Sequence, residues 1–174
     1  DLIIKNYKFK LIRKFVSDNC QPINKNILFI SNYAISKKKI ENGIAYCFGI
    51  HDDISFEKKL STLFNFNVFM YDPSPISINN YNNINRDFKN IKFYPYALWT
   101  QDKKMKFFYQ KEEYKKENMS GSLLKEFSES EKYIEVDTLS LNSIMKKNLH
   151  KQVDLVKMDI EGAGQKILES IFEN

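Results

Sequence analysis

The most informative stretch of this chain is Val153-Asp154-Leu155-Val156-Lys157-Met158-Asp159-Ile160-Glu161-Gly162-Ala163. It is an apolar strand that carries a lysine and ends in two carboxylates and a glycine. Strands buried on both faces of a parallel sheet are nearly continuous apolar runs, so a charge inside one needs a reason. Because side chains alternate along a strand, Lys157, Asp159 and Glu161 share one side and can converge at its carboxyl end. Ligands bind at that end in open α/β sheets, so the stretch predicts the floor of an active site.

The bulk composition indicates one soluble domain. A chain of 174 residues can form a sizeable core, and 43% hydrophobic with 14% aromatic content excludes general disorder. No apolar stretch approaches the ~20 residues that span a bilayer, and no signal-peptide pattern opens the chain. These features predict a cytoplasmic protein.

Charge and cysteine content exclude further classes. The net charge is +5, but the lysines are dispersed and form no basic face with interleaved aromatics, so no nucleic-acid partner is predicted. A basic chain could still accept an anionic substrate. Cys20 and Cys47 are far apart and outside any CxxC pair, which argues against a cysteine metal site or a disulfide framework. Cys47 is expected to be a buried small hydrophobe.

Strand and helix patterns alternate from residue 43 onward, which predicts an α/β fold with a mainly parallel sheet covered on both faces. The predicted strands span residues 44–50, 67–71, 91–98, 105–109 (at an edge), 133–136 and 153–160. Residues 43–174 form one domain in this interpretation, and residues 1–42 form an extension that packs on it. The extension is expected to hold a helix or strand–helix pair around residues 7–16 and a short strand at 27–30. Because the chain stops at Asn174 just after a helix, we expect the last part of the domain to lie beyond it.

The predicted helices have recognisable starts and apolar faces. Ser55 is expected to cap a helix with Phe56, Leu60, Leu63 and Phe64 on one face. Further helices are expected after Ser74-Pro75, after Thr138 or Ser140, and after Gly162-Ala163, the last with Ile167, Leu168, Ile171 and Phe172 on one face. Residues 110–132 are expected to be a loop that could act as a substrate lid.

Three loops are expected at strand carboxyl ends. In the first, Gly49 to Asp53, the glycine allows close approach of a ligand and the next helix offers free N–H groups. Asp52 and Asp53 oppose a phosphate, so a cationic or zwitterionic ligand suits this loop. An ordinary helix-start turn is an equal alternative. In the second, Asp72 lies 23 residues after Gly49, where an acid can accept hydrogen bonds from ribose hydroxyls, although it could be only a turn former.

The third loop holds Asp159 and Glu161. They could orient a substrate hydroxyl, accept its proton or hold a divalent metal whose other ligands are not apparent. Lys157 could pair with either carboxylate in a structural ion pair. Of the two histidines, His51 could be a general base, whereas His150 is expected to be solvent-exposed.

Four further segments join the opening stretch in a familiar order over residues 44–172: Phe48 to Phe56, Tyr71 to Pro75, Ala97-Leu98-Trp99 and Val136 to Leu141. Together they resemble FkbM-type S-adenosylmethionine-dependent methyltransferases. The resemblance implies a Rossmann-like class I methyltransferase sandwich and O-methylation of a small acceptor, often a sugar or a precursor in polysaccharide biosynthesis. The cofactor-binding residues that it implies are Gly49, Ile50, Asp53, Asp72, Pro73, Ala97 and Leu98. The catalytic residues would be Asp159, Glu161 and His51.

Two departures from the family pattern motivate alternatives. Gly164 stands where the family usually has glutamate, and Cys47-Phe48-Gly49 replaces the common acid–glycine start of the cofactor loop. A degenerate, non-catalytic interaction module is therefore the second hypothesis. A dinucleotide-dependent oxidoreductase is disfavoured because Asp52 and Asp53 crowd the pyrophosphate position.

Overall fold

A computed structural model describes residues 2–4, 27–31, 33–36, 42–109, 121–128 and 131–172. Its strands are β1 (Leu2–Ile4), β2 (Ile27–Ile30), β3 (Tyr33–Ser36), β4 (Ile44–Phe48), β5 (Asn67–Tyr71), β6 (Ile91–Tyr94), β7 (Ala97–Leu98), β8 (Lys103–Tyr109), β9 (Gly121–Ser122), β10 (Tyr133–Leu139) and β11 (Leu155–Met158). The helices are α1 (Ser55–Phe64), α2 (Pro75–Tyr81), α3 (Ile84–Asp87), α4 (Leu141–Lys147) and α5 (Gly164–Phe172), with a 3₁₀ turn at Lys125–Phe127. The element predicted around residues 7–16 and Cys20 lie outside the described residues.

The main sheet has five parallel strands in the order β1-β11-β4-β5-β6. From β4 the chain proceeds outward through β5 to β6, whereas β11 lies on the other side of β4. The strand order therefore reverses between β4 and β11. A crevice opens beyond the carboxyl ends of the strands at such a reversal, which is where the opening stretch lies.

Alternation along the central strands sends their side chains to two separate cores. On one face, Ala45 and Cys47 of β4 belong to a buried cluster with Phe56 and Leu60 of α1. On the other face, Tyr46 and Phe48 pack with residues of α4, α5 and a second sheet. The predicted α/β fold with a parallel sheet covered on both faces is confirmed, as is the burial of Cys47.

A second, four-stranded sheet corrects two strand predictions. Its order is β7-β10-β8-β9, so β8 is an interior strand there rather than an edge strand. Residues 91–98 are not one strand, because β6 joins the main sheet while β7 pairs with β10. Pro95 lies between them and has no N–H to donate to a continuous ladder.

The helix boundaries also differ in detail. Ser55 is the first residue of α1, not its cap: the Asp53 carboxylate accepts the Ser55 backbone N–H at 2.8 Å. Leu63 and Phe172, predicted on apolar faces, are 68% and 81% exposed. Ser74 caps α2 and Ser140 caps α4, while Thr138 lies within β10. None of the described helices has the length and apolarity needed to cross a membrane.

Candidate active site

The candidate site lies where the loops after β4, β5 and β11 meet at Gly49. The Gly49 N–H donates to the carbonyl of Tyr71 at 3.1 Å, and the Asp159 N–H donates to the carbonyl of Phe48 at 2.9 Å. Gly49 has φ +74°, and a Cβ placed on it would overlap the carbonyl oxygen of Asp159. Only glycine combines this conformation with this approach. The predicted convergence of the Gly49, Asp72 and Asp159 loops is therefore present in the structure.

Asp72 holds the first loop in shape. Its Oδ2 accepts the backbone N–H groups of Ile50 at 2.8 Å and His51 at 3.0 Å, and its Oδ1 accepts that of Ser74 at 2.8 Å. The residue is 6% exposed. An ionised carboxylate offers about four acceptor positions, so these three bonds leave about one for a ligand. Asp72 is thus a turn former that keeps residual capacity to bind.

His51 is paired with its neighbour. Its Nδ1 lies 2.7 Å from Oδ1 of Asp52, and its backbone has φ +57°. In a neutral ring, the Asp52 carboxylate favours the tautomer with the proton on Nδ1, which makes Nε2 the acceptor. Nε2 is buried and has no hydrogen-bond partner within the described part of the chain. An orphaned buried ring nitrogen is one that a ligand or water can satisfy.

Asp53 and the Ala97-Leu98 pair are engaged elsewhere. The Asp53 carboxylate accepts the backbone N–H and the hydroxyl of Ser55, which closes the start of α1. Ala97 and Leu98 are buried in the second sheet opposite Thr138 and Leu139. The structure therefore brings Gly49, Ile50, Asp72 and Asp159 together by direct contacts. Among the described residues, it shows no direct contact of Asp53, Ala97 or Leu98 with that group. Pro73 follows Asp72 in the chain and is buried.

Lys157 pairs with neither Asp159 nor Glu161, which corrects the sequence interpretation. Its ammonium lies 2.8 Å from Oε1 of Glu57 in α1, and both side chains are buried. Burial is the largest single influence and lowers the pKa of Lys157, but Glu57, Cys47 and Tyr33 together outweigh it and raise the pKa above its ordinary value. The ammonium therefore stays charged. Sequence reasoning missed Glu57 because nothing local marks its partner, although a lysine in a buried strand signals that an anion must face it.

The two carboxylates of the third loop have different surroundings. Asp159 is half-buried, and its Oδ2 accepts a hydrogen bond from the Tyr33 hydroxyl at 3.0 Å. The sequence had not indicated Tyr33 as a site residue. Glu161 is exposed. Because β11 ends at Met158, the strand alternation that predicted its convergence with Asp159 does not reach it. Among the described residues, no group of three or more His, Cys, Asp or Glu side chains is placed to hold a metal ion.

The segment that follows residue 120 packs on this loop. The Ser122 hydroxyl donates to the carbonyl of Glu161 at 2.7 Å and accepts the N–H of Leu124 at 3.0 Å. Gly162 has φ +73°, and a Cβ on it would overlap the ring of Phe127. Residues 121–128, predicted as loop, thus include β9 and a 3₁₀ turn held against the acidic loop; residues 110–120 and 129–130 lie outside the description.

His150 is not a free surface group as expected, but is half-buried against the aromatic core. Its Nδ1 lies 2.7 Å from the hydroxyl of Tyr46, and its ring meets Phe69 edge-on with centroids 4.8 Å apart. Burial and the nearby Lys92 lower the pKa of His150. His150 therefore belongs to the packing beneath α4 rather than to the crevice.

Comparison with protein-family models gives a match. A sequence model described as "Methyltransferase FkbM domain" matches residues 16–173, which include every candidate site residue. No significant match was found among curated proteins or among solved structures.

Proposed function

The chain belongs to the FkbM methyltransferase family, and from this premise we propose that it transfers a methyl group from S-adenosylmethionine to a hydroxyl of a small acceptor, a sugar or cell-surface glycan precursor. The fold in this proposal is a Rossmann-like class I methyltransferase sandwich. Its reversal of strand order between β4 and β11 lies where such folds bind their cofactor.

The proposal rests chiefly on the contacts at Gly49 and Asp72, where the loops after β4 and β5 meet. Asp72 holds the N–H groups of Ile50 and His51 and keeps about one acceptor position, which fits one ribose hydroxyl. Pro73, directly after β5, and Ala97 and Leu98, in β7, would border the adenosine, and Asp53 would contribute from the loop before α1. The residues present are compatible with S-adenosylmethionine on this geometry.

The acceptor side would be formed by the third loop. Bound S-adenosylmethionine supplies a methyl group already activated on a sulfonium, so the protein has to align the acceptor and exclude water. Asp159, fixed at the end of β11, would orient the acceptor hydroxyl and receive its proton. Glu161 and the Nε2 of His51 are the other groups that could take that proton.

Calorimetric titration with S-adenosylhomocysteine tests the cofactor site. The wild-type chain should bind it, and Asp72→Ala should weaken binding at least about tenfold, equivalent to about 1.4 kcal/mol. Asp137→Ala is the matched control, because Asp137 forms an exposed ion pair with Lys104 in the second sheet and should bind normally. A wild-type chain that binds no S-adenosylhomocysteine would refute the proposal and favour the non-catalytic interaction module.

Methyl transfer needs a separate assay. Radiolabelled S-adenosylmethionine with a panel of sugars and sugar nucleotides should give a labelled product. Asp159→Asn should reduce its formation while leaving S-adenosylhomocysteine binding intact. Transfer only to non-carbohydrate acceptors would overturn the acceptor class but not the activity.

A further inference from the structure

The β2–β3 hairpin places one side chain against the candidate active site from a distant part of the sequence. Tyr33, at the start of β3, donates its hydroxyl to Oδ2 of Asp159 at 3.0 Å across 126 residues of chain. Tyr33 is 7% exposed, and Ile30 and Ile35 of the same hairpin are buried in the core on the α1 face. The hairpin is therefore packed onto the domain, and the buried residues Ile30 and Ile35 hold Tyr33 in place beside Asp159.

The ring of Tyr33 is held by the buried ion pair. The Lys157 ammonium lies 5.1 Å from the ring centroid of Tyr33, and the Phe56 ring packs against Tyr33 with centroids 4.6 Å apart. Lys157 is in turn fixed by Glu57 of α1. A cation over an aromatic face is attracted to it, more strongly when both are desolvated. Contacts therefore run from Glu57 through Lys157 and Tyr33 to Asp159.

The Tyr33 hydroxyl stays protonated, so it donates to the Asp159 carboxylate and cannot act as a base. Burial is the main cause that raises the pKa of Tyr33 well above its ordinary value, and the neighbouring Asp159 adds to it. A phenol that stays protonated cannot take a proton from an acceptor. It can hold a carboxylate in one orientation.

We propose that Tyr33 is a positioning residue that fixes the Asp159 carboxylate for its role at the methyl-transfer site, so that the β2–β3 hairpin is a working part of that site. This inference rests on the proposed function, because it takes Asp159 to face the transferred methyl. It adds a residue that belongs to none of the three crevice loops. It also gives the buried Glu57–Lys157 pair a purpose, namely to hold the ring that holds Asp159.

Two ligands that differ near the position of the transferred methyl group test whether Tyr33 positions Asp159 for its role there. Sinefungin carries an amine-bearing carbon where S-adenosylhomocysteine has sulfur, so a well-placed Asp159 carboxylate should favour it. We expect Tyr33→Phe to lower the ratio of sinefungin to S-adenosylhomocysteine affinity by about threefold to tenfold, with the affinity for S-adenosylhomocysteine unchanged. Asp159→Asn should lower the ratio at least as much. An unchanged ratio in Tyr33→Phe that still binds both ligands would overturn the proposal.

Tyr46→Phe is the matched control. Tyr46 is also a buried tyrosine with a hydrogen-bonded hydroxyl, but it lies on the opposite face of β4, toward His150 and Asn148. Its loss should lower stability without changing the ligand ratio. An equal change of the ratio in Tyr46→Phe would reduce Tyr33 to a structural role.

A ligand-free measurement tests the contact itself. In protein labelled with ¹³Cζ-tyrosine and assigned by triple-resonance NMR, the Tyr33 resonance should move upfield in Asp159→Asn, because the phenol then donates to a neutral acceptor. The Tyr46 resonance should stay in place. If the wild-type chain binds neither ligand, the proposed function fails, and this shift alone decides whether Tyr33 holds Asp159. No shift would overturn the contact.

Discussion

The ammonium of Lys157 lies 2.8 Å from Oε1 of Glu57, and the two side chains are only 4% and 0% exposed. The pair joins β11 to α1 across 100 residues of sequence, beneath the candidate active site. Two charges so deeply buried stabilise a fold only while both are present, since either one alone would be an unpaired charge in an apolar core.

Removal of one partner should therefore be costly. We expect Lys157→Met and Glu57→Leu each to lower the free energy of unfolding by about 3–5 kcal/mol, measured by urea denaturation. The double variant Glu57→Leu with Lys157→Met should recover much of that loss, because no buried charge then remains. Additive losses in the double variant would contradict this account.

Gly49 should not tolerate a side chain. Gly49→Ala combines a positive φ with an overlap between its Cβ and the carbonyl oxygen of Asp159. We expect this variant to lose about 1–3 kcal/mol of stability or more. It should also lose S-adenosylhomocysteine binding. Gly164→Ala is the control, because a Cβ there meets no atom within 4 Å. Its stability should be unchanged or raised by at most about 1 kcal/mol. Equal behaviour of the two alanine variants would contradict the geometry at Gly49.

Ser122 should tie the segment after residue 120 to the acidic loop. Ser122→Ala removes the donor to the Glu161 carbonyl and the acceptor of the Leu124 N–H, at a site that is 2% exposed. We expect a loss of about 1–3 kcal/mol and faster amide hydrogen exchange at Leu124 and its neighbours. Thr62→Ala, which removes an exposed bond to a helix carbonyl, should leave that exchange unaltered.

His150 should make the fold sensitive to acid. Its folded pKa is lowered from an ordinary value of 6.5, mainly by burial. The stability that the neutral ring contributes is present above the unfolded pKa and is lost as pH falls through the folded one. Unfolding free energy should therefore fall between about pH 7 and pH 5, and His150→Gln should show a shallower fall over that window. Parallel curves for the two proteins would exclude His150 as the cause.

Local sequence patterns predict much of the fold. The bounds of β5 match the predicted strand at 67–71, and β4 and β11 lie within their predicted ranges. Apolar periodicity marks such elements because it depends on neighbouring residues only. The same reasoning placed Gly49, Asp72 and Asp159 at one edge of the sheet, since parallel strands end together.

Contacts between distant residues could not be obtained this way. Residues 91–98 divide between two sheets, and Lys157 faces Glu57 rather than the nearby carboxylates. Tyr33 reaches Asp159 from a hairpin that no motif connects to the site. Periodicity states which face of an element is apolar but not which element will cover it. Which element covers a given face is decided only in the tertiary structure, because it depends on how the faces of all the elements pack together at once.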